Sequence, residues 1–292
     1  MHSRKLLFSL GYMPLTISLR CSENADLPKF TGSMLHGIMG WTLAPYRKMY
    51  EFLYENRQLQ QGKKDIVNPY IIKLPRTYSN YQVGDELSYQ FILLGDGVRY
   101  ANDVTLAVTE RKIFGLGADR KKFELFSIQQ GRTSIGNVWP NEIIMKGNML
   151  RLYSNPSEEL YTHCSIHLLS PLRIRRNGEL LINIDFTTIV RNIISRMTEL
   201  SNRYDGYLDV EEMEKLYELS AQIKTMSSGI FVTKIERYSS KRTTKMDMSG
   251  LQGTLVFEGG LGPFIPLLEA ARYLHIGRNV TFGYGEIDVK FW

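Results

Sequence analysis

The chain runs through one order of element types twice, and that repetition constrains its fold more than any other feature. In the first half, RKLLFSL and LTISLR alternate apolar and polar residues as a strand does (Arg4 to Arg20). TGSMLHGIMGWTLAPYRKMYEFLYE then shows helical periodicity (Thr31 to Glu55), with Thr31 placed to cap it and Pro45 placed to kink it. PYIIKL (Pro69 to Leu74) and ELSYQFILL (Glu86 to Leu94) read as strands. ANDVTLAVTERKIF (Ala101 to Phe114) reads as a helix and KFELFSIQ (Lys122 to Gln129) as a strand. The order is β-α-β-β-α-β.

The second half repeats it. THCSIHLLSPLRI (Thr162 to Ile174) is a strand and DFTTIVRNIISRMTELSNRY (Asp185 to Tyr204) an amphipathic helix. VEEMEKLYELSAQIK (Val210 to Lys224) is a further helix, read as an insertion. Strands FVTKIERYS (Phe231 to Ser239) and GTLVFEG (Gly253 to Gly259) follow, then helix PFIPLLEAARYLHI (Pro263 to Ile276) and strand GEIDVKF (Gly285 to Phe291). Two tandem ferredoxin-like (RRM-like) units, an α+β fold, is the architecture this order predicts. The units are expected over residues 1–153 and 154–292, divided in the polar stretch YSNPSEE (Tyr153 to Glu159).

A 43% hydrophobic and 23% charged composition is that of a folded chain rather than a disordered one. No apolar run approaches the ~20 residues of a transmembrane helix. The basic, apolar N-terminus imitates a signal peptide, but Gly11 and Pro14 interrupt it, so a first strand is expected. Cys21 and Cys164 have no metal-ligand spacing and read as reduced thiols of a cytoplasmic protein.

Net charge is +6 with a pI near 9.1, compatible with a polyanionic partner. The placement of that charge is more informative. SPLRIRRNGE gathers Arg173, Arg175 and Arg176, with Arg173 and Arg175 on one face of any strand there, and ERYSSKRTTKMDM adds Arg237, Lys241, Arg242 and Lys245. Clusters of this kind are solvated surface or a nucleic-acid footprint.

HIGRNVTFGYGE (His275 to Glu286) holds Gly277, Gly283 and Gly285 with Arg278 among them. Phosphate-cradling loops run strand, glycine-rich turn, helix. This one runs helix, loop, strand, and its glycine spacing matches neither dinucleotide nor P-loop patterns, so mononucleotide binding is not expected. A helix cap explains Gly277. Gly283 and Gly285 call for another close approach, by the chain itself or by a ligand. FGLGADRKKFEL (Phe114 to Leu125) occupies the same place in the first half.

Of the five histidines, His2 is terminal, and His163 and His167 share one face of a strand without an evident third metal ligand. His275 ends a helix, where an imidazolium suits the dipole and reads as a cap or a ligand contact. His36 is the candidate for proton transfer. Gly32 and Gly40 are its i−4 and i+4 neighbours, so no side chains flank it along the helix. Each such glycine costs roughly 1 kcal/mol, which points to close approach by another element or by a ligand. No G-x-S-x-G, H-E-x-x-H or paired-carboxylate motif offers another chemistry, and no metal-ligand set or cofactor is expected.

The stretch ERYSSKRTTKMDMSGLQGTLVFEGGLGPFIPLLEAARYLHIGRNVTFGYGEIDV (Glu236 to Val289) resembles the CRISPR-associated endoribonucleases that process repeat RNA, the Cas-six type of the RAMP superfamily. SPLRIRRNGE and the glycines of FGLGADRKKFEL are similar to it as well. The resemblance implies tandem ferredoxin-like domains that bind CRISPR repeat RNA and cut precursor transcripts into guides without metal, leaving 2′,3′-cyclic phosphate and 5′-hydroxyl ends. It implies a histidine in or beside the first helix as general base or acid, here His36; Tyr46, Lys48 and Lys29 are expected as transition-state stabilisers by proximity in sequence alone, with no motif fixing them. Relatives often carry arginine where His36 stands, and some a histidine one turn later, at this chain's Trp41.

RNA contacts are expected from Arg173, Arg175, Arg176, Arg237, Lys241, Arg242, Lys245, Arg278 and the backbone at Gly277, Gly283 and Gly285. Glycine lets a backbone close to phosphates and presents N–H groups to them. A non-catalytic RAMP subunit holding guide RNA in a CRISPR effector complex would use the same features without the histidine. A ferredoxin-like scaffold for protein partners would need none of them.

Overall fold

The computed structural model describes residues 4–55, 67–75, 79–130, 143–146, 149–155, 161–239 and 244–292. The first unit is built from β1 (Leu6–Cys21), α1 (Gly32–Leu43), β2 (Tyr70–Lys73), β3 (Glu86–Leu94), α2 (Ala101–Arg111), β4 (Ile113–Leu116) and β5 (Lys121–Gln130). A short hairpin of β6 (Ile143–Lys146) and β7 (Met149–Tyr153) follows. The second unit contains β8 (His163–Leu172), α3 (Phe186–Arg203), β9 (Tyr207–Leu208), α4 (Val210–Leu219) and β10 (Lys224–Thr233). It continues through β11 (Glu236–Ser239), β12 (Thr244–Asp247), β13 (Gly250–Glu258), α5 (Ile265–Leu274) and β14 (Ile287–Phe291).

Both sheets have the same order. In the first it is β2-β3-β1-β5-β4, and in the second β10-β13-β8-β14, every pair antiparallel. Counting principal strands, each reads second-third-first-fourth, the ferredoxin-like order, with one helix after the first strand and one after the third. The tandem α+β architecture expected from the repeated order is therefore present. Residues 156–160, beside the proposed division of the chain, lie outside the described residues, as does His2.

Apolar periodicity explains where the helices sit. Leu35, Ile38, Met39 and Leu43 of α1 and Val104, Ala107 and Val108 of α2 are buried in one cluster with the strands of the first sheet. Asp185 caps α3, its carboxylate accepting from the Thr188 N–H at 2.7 Å, and holds its own pKa below the usual carboxylate range by that bond. Ile189, Val190, Ile193, Met197 and Leu200 form the buried stripe of α3.

Three boundaries differ from the sequence expectation. The helix expected to Phe114 stops at Arg111, because Lys112 turns to φ +57° and Ile113 starts a strand pairing with Glu124. The insertion helix ends at Leu219, and β10 begins at Lys224 rather than Phe231, since ladder pairing with β13 outweighs weak strand propensity in TMSSG. The first-half helix breaks after Leu43, at the expected proline, and resumes as a turn over Arg47–Tyr50.

Strand β1 belongs to both units. Its Met13–Cys21 part supplies Met13, Leu15, Ile17 and Leu19 to the first core. Leu7, Phe8, Leu10 and Tyr12 join the core of the second unit. Beyond its own sheet β1 pairs with β7 (Leu6↔Tyr153) and with β9 (Phe8↔Leu208), so the inserted strand of the second half closes onto the first strand of the chain.

Candidate functional site

The glycine-rich loop and His36, 246 residues apart between His36 and Phe282, meet face to face. The Phe282 ring stacks on the imidazole with centroids 4.0 Å apart and planes 17° apart. Tyr54 lies beside it at 5.1 Å and donates a hydrogen bond from its hydroxyl to the His36 carbonyl at 3.2 Å. Behind them Tyr54, Tyr70 and Phe91 stack in a row at 4.9 Å spacings. His36 itself is half-buried.

The glycines flanking His36 have separate reasons. A Cβ on Gly32 would lie 1.8 Å from the Phe282 carbonyl oxygen, so this position admits the loop backbone. A Cβ on Gly40 would lie 3.2 Å from the Tyr54 ring. The close approach predicted from sequence comes from the protein's own second unit and from Tyr54. Burial pushes the Tyr54 and Tyr70 hydroxyls well up, so both stay protonated near neutrality and neither serves as a base.

The loop glycines likewise answer to the chain. Five of the eleven residues from His275 to Gly285 have positive φ: His275, Gly277, Asn279, Gly283 and Gly285. A Cβ on Gly285 would sit 1.8 Å from the Ile276 oxygen, one on Gly283 2.3 Å from Leu74 Cγ, and one on Gly277 2.7 Å from the Arg173 oxygen. The N–H of Gly283 donates to Val280 O at 2.9 Å, that of Gly285 to Pro171 O at 3.1 Å, and that of Arg278 to Arg173 O at 2.8 Å. This corrects the expectation that the glycines exist to offer N–H groups to phosphate: those of Gly283 and Gly285 are already bonded, and the glycines allow the loop to fold against β2 and its own helix. What the loop presents outward is Arg278, which is exposed.

The remaining expected contacts separate by burial. Arg173 is buried and donates to the carbonyls of Ser249 and Asp247 and, at 3.3 Å, to the Asp247 carboxylate. Its principal role is therefore to hold the turn between β12 and β13. Arg175 is half-buried 3.7 Å from the same carboxylate, so the shared face predicted by alternation exists, while Arg176 is exposed. Asp247 is held below the usual carboxylate range by Ser249 and then Arg173. Arg237 lies in β11 and Lys245 in β12, and Lys241 and Arg242 lie outside the described residues.

Of the expected catalytic helpers, Tyr46 donates its hydroxyl to Glu110 of α2, a bond that raises its pKa, and Lys48 and Lys29 are exposed. Tyr54, its ring tilted 53° to the imidazole, is the tyrosine beside His36. His163 stacks on Trp292 at 5.8 Å and His167 bonds the Thr254 hydroxyl at 2.7 Å. Among the described residues no three His, Cys, Asp or Glu side chains converge as a metal set.

His275 is not the solvent-facing imidazolium expected at a helix end. It is fully buried with Nδ1 3.1 Å from the Tyr284 oxygen, and burial pulls its pKa down to about 4 despite nearby Glu286, whose carboxylate Lys73 pairs at 3.0 Å. A base that binds its proton less readily folded than unfolded contributes stability above the unfolded pKa of ~6.5 and loses it as pH falls toward 4. Urea unfolding of the wild type is expected to lose about 2 kcal/mol between pH 7 and 5 from this group. A His275→Gln variant should show a correspondingly flatter profile; parallel profiles would show that His275 is not the titrating group.

Residues 166–287 match the family model of the CRISPR-associated endoribonuclease Cas6, and residues 10–157 match a family model described as an N-terminal domain. No curated protein matches the chain. Among solved structures, the product complex of a Thermus thermophilus Cas6 superposes with a TM-score of 0.62 at 12% identity, over 96% of this chain and 100% of that one. A second Cas6 product complex gives 0.54 at 17% identity, over 97% and 99%. A partial Cas6-RT-Cas1–Cas2 complex gives 0.61 at 10% identity, over 97% of this chain and 46% of that one. At these identities the structures establish the fold, and the family models fall one on each unit. The second half of the chain, residues 166–287, is thus similar to the CRISPR-associated endoribonuclease Cas6 family, and the whole chain has the paired ferredoxin-like fold of the solved Cas6 structures.

Proposed function

We propose that this protein is an endoribonuclease that binds CRISPR repeat RNA and cuts precursor transcripts by metal-independent transesterification, with His36 as the proton-transfer group. Processing of repeat RNA is the family's activity; the chemistry and the residues are the proposal. The observation that carries it is the half-buried imidazole of His36, oriented by Phe282 and Tyr54 where the two units meet. Imidazole titrates near neutrality, which suits it to take a proton from a 2′-hydroxyl or to give one to a departing oxygen.

In the proposed reaction the 2′-oxygen loses its proton and bonds to the adjacent phosphorus as the bond from phosphorus to the 5′-oxygen breaks. The 2′-hydroxyl proton leaves to a base, and the 5′-oxygen takes one from an acid, giving a 2′,3′-cyclic phosphate and a 5′-hydroxyl. Exposed Arg278, on the loop that meets His36, supplies positive charge beside the junction. Solved Cas6 relatives captured as product complexes carry this fold, which supports the same use here.

Incubating the protein with the host's repeat RNA in EDTA tests the proposal. A single cut leaving a 2′,3′-cyclic phosphate and a 5′-hydroxyl is expected. A 5′-phosphate on the downstream fragment would refute the chemistry, and tight binding without cutting would mark a guide-holding subunit.

A further inference from the structure

Against the glycine-rich loop lies a cavity of about 380 Å³, lined by the loop, Arg173, Arg175, and Val67 and Asn68 of the first unit, with His36 not among its lining residues. Four arginines border it, Arg173, Arg175, Arg196 and Arg278, against one carboxylate, Asp247, to which Arg173 and Arg175 are already paired. Arg196 comes from the middle of α3 and is only 6% exposed. Its Nε donates to Leu274 O at 2.6 Å, at the C-terminal end of α5. Its Nη2 is sealed from solvent with no hydrogen-bond partner, and so is Nε of Arg175.

A desolvated guanidinium without a counter-charge is among the costliest groups a fold can carry. The end of α5 accounts for one nitrogen of Arg196, because a helix C-terminus favours a cation. It leaves the two orphaned donors, brought to one cavity by two different elements. Burial of Arg196 also pulls its pKa down to about 9, the direction expected of a charge with no anion beside it. Guanidinium groups present paired N–H donors whose geometry matches the oxygens of phosphate.

We infer that this cavity is a phosphate-binding site, separate from the His36 position, in which Arg196, Arg175 and Arg278 hold one phosphodiester of the bound RNA strand. The assignment to RNA rests on the proposed function; the cavity's chemistry does not. Thr281 and Phe282 line the cavity while the Phe282 ring stacks on His36. A phosphate held there braces the loop at Thr281 and Phe282 and thereby positions the imidazole.

The test uses the full chain in two arms. In the first, the logarithm of repeat-RNA affinity is plotted against that of salt concentration for wild type, Arg196→Met and Arg175→Gln. Losing one phosphate contact should make the slope shallower by about one and weaken binding at least about tenfold at low salt. An unchanged slope in a folded Arg196→Met protein would reduce Arg196 to a cap on α5; if that variant does not fold, an unchanged slope for Arg175→Gln overturns the site equally. In the second arm, inorganic phosphate is compared with chloride at equal ionic strength by thermal unfolding. A phosphate-specific rise in Tm, lost in the variants, is expected. A rise without RNA binding would uphold the phosphate site while the RNA reading fails. A rise with an unchanged RNA slope would leave a free-phosphate site and overturn the RNA assignment. The absence of both effects would overturn the inference entirely.

Discussion

Replacing His36 with alanine is expected to slow cleavage of repeat RNA by about 10²- to 10⁴-fold, the range of a lost general acid or base, while binding changes by no more than a few fold. The imidazole is the titratable ring at the contact between α1 and the glycine-rich loop, and Phe282 stacks on it at 4.0 Å. Tyr54 and Tyr70 beside it are held protonated by burial and cannot take its place as a base. Single-turnover cleavage and equilibrium binding, measured on one preparation, separate chemistry from affinity. An unimpaired cleavage rate would leave His36 as a packing residue and move the search for proton transfer elsewhere.

The second large effect concerns glycine, and its sign should differ within one helix. Gly285→Ala must place a methyl 1.8 Å from the Ile276 oxygen at φ +73°, where both the backbone and the contact oppose it. A loss of about 3 kcal/mol or more in urea unfolding is expected. Gly32→Ala meets the Phe282 oxygen at the same distance and should push the loop off α1, lowering stability and cleavage together. Gly37, one residue past His36, has nothing within 4 Å of its Cβ position. There alanine should stabilise the helix by up to ~1 kcal/mol. Destabilisation of equal size at Gly32 and Gly37 would show that contact with the loop does not govern α1.

These glycines also show how far a sequence can be read. Their placement around His36 was a visible anomaly, because glycine inside a helix requires a reason. The reason was not visible, since Phe282 is far away in the chain and only the folded sheets bring it to Gly32. The same holds in the loop, where a wish to meet phosphate and a need to clear Ile276 and Leu74 leave identical glycines in the sequence. Strand order was legible because periods of two and 3.6 residues follow from backbone geometry. The overrun of α2 to Phe114 arose because ERKIF fits either period, and pairing with β5 settles it. Arg196 left a signal that is easy to pass over: it sits on the stripe of Ile189, Ile193, Met197 and Leu200, where an amphipathic helix should hold no charge. The pairing of Arg173 with the β12–β13 turn left none.

Strand β1 sets a timetable. Its Phe8 pairs with Leu208, and its Leu7, Phe8 and Leu10 are buried in the core of the second unit. A ribosome adding about 5–20 residues per second needs roughly 10–40 s to deliver Leu208 after Phe8. Until Tyr153 is made the first half of β1 can pair with neither β7 nor β9, and β9 with the rest of the second core follows only later, so its apolar side chains wait for their partners on a nascent chain. The first unit therefore cannot finish as an independent domain during synthesis, and chaperones that hold unpaired strand edges have their longest opportunity on this segment.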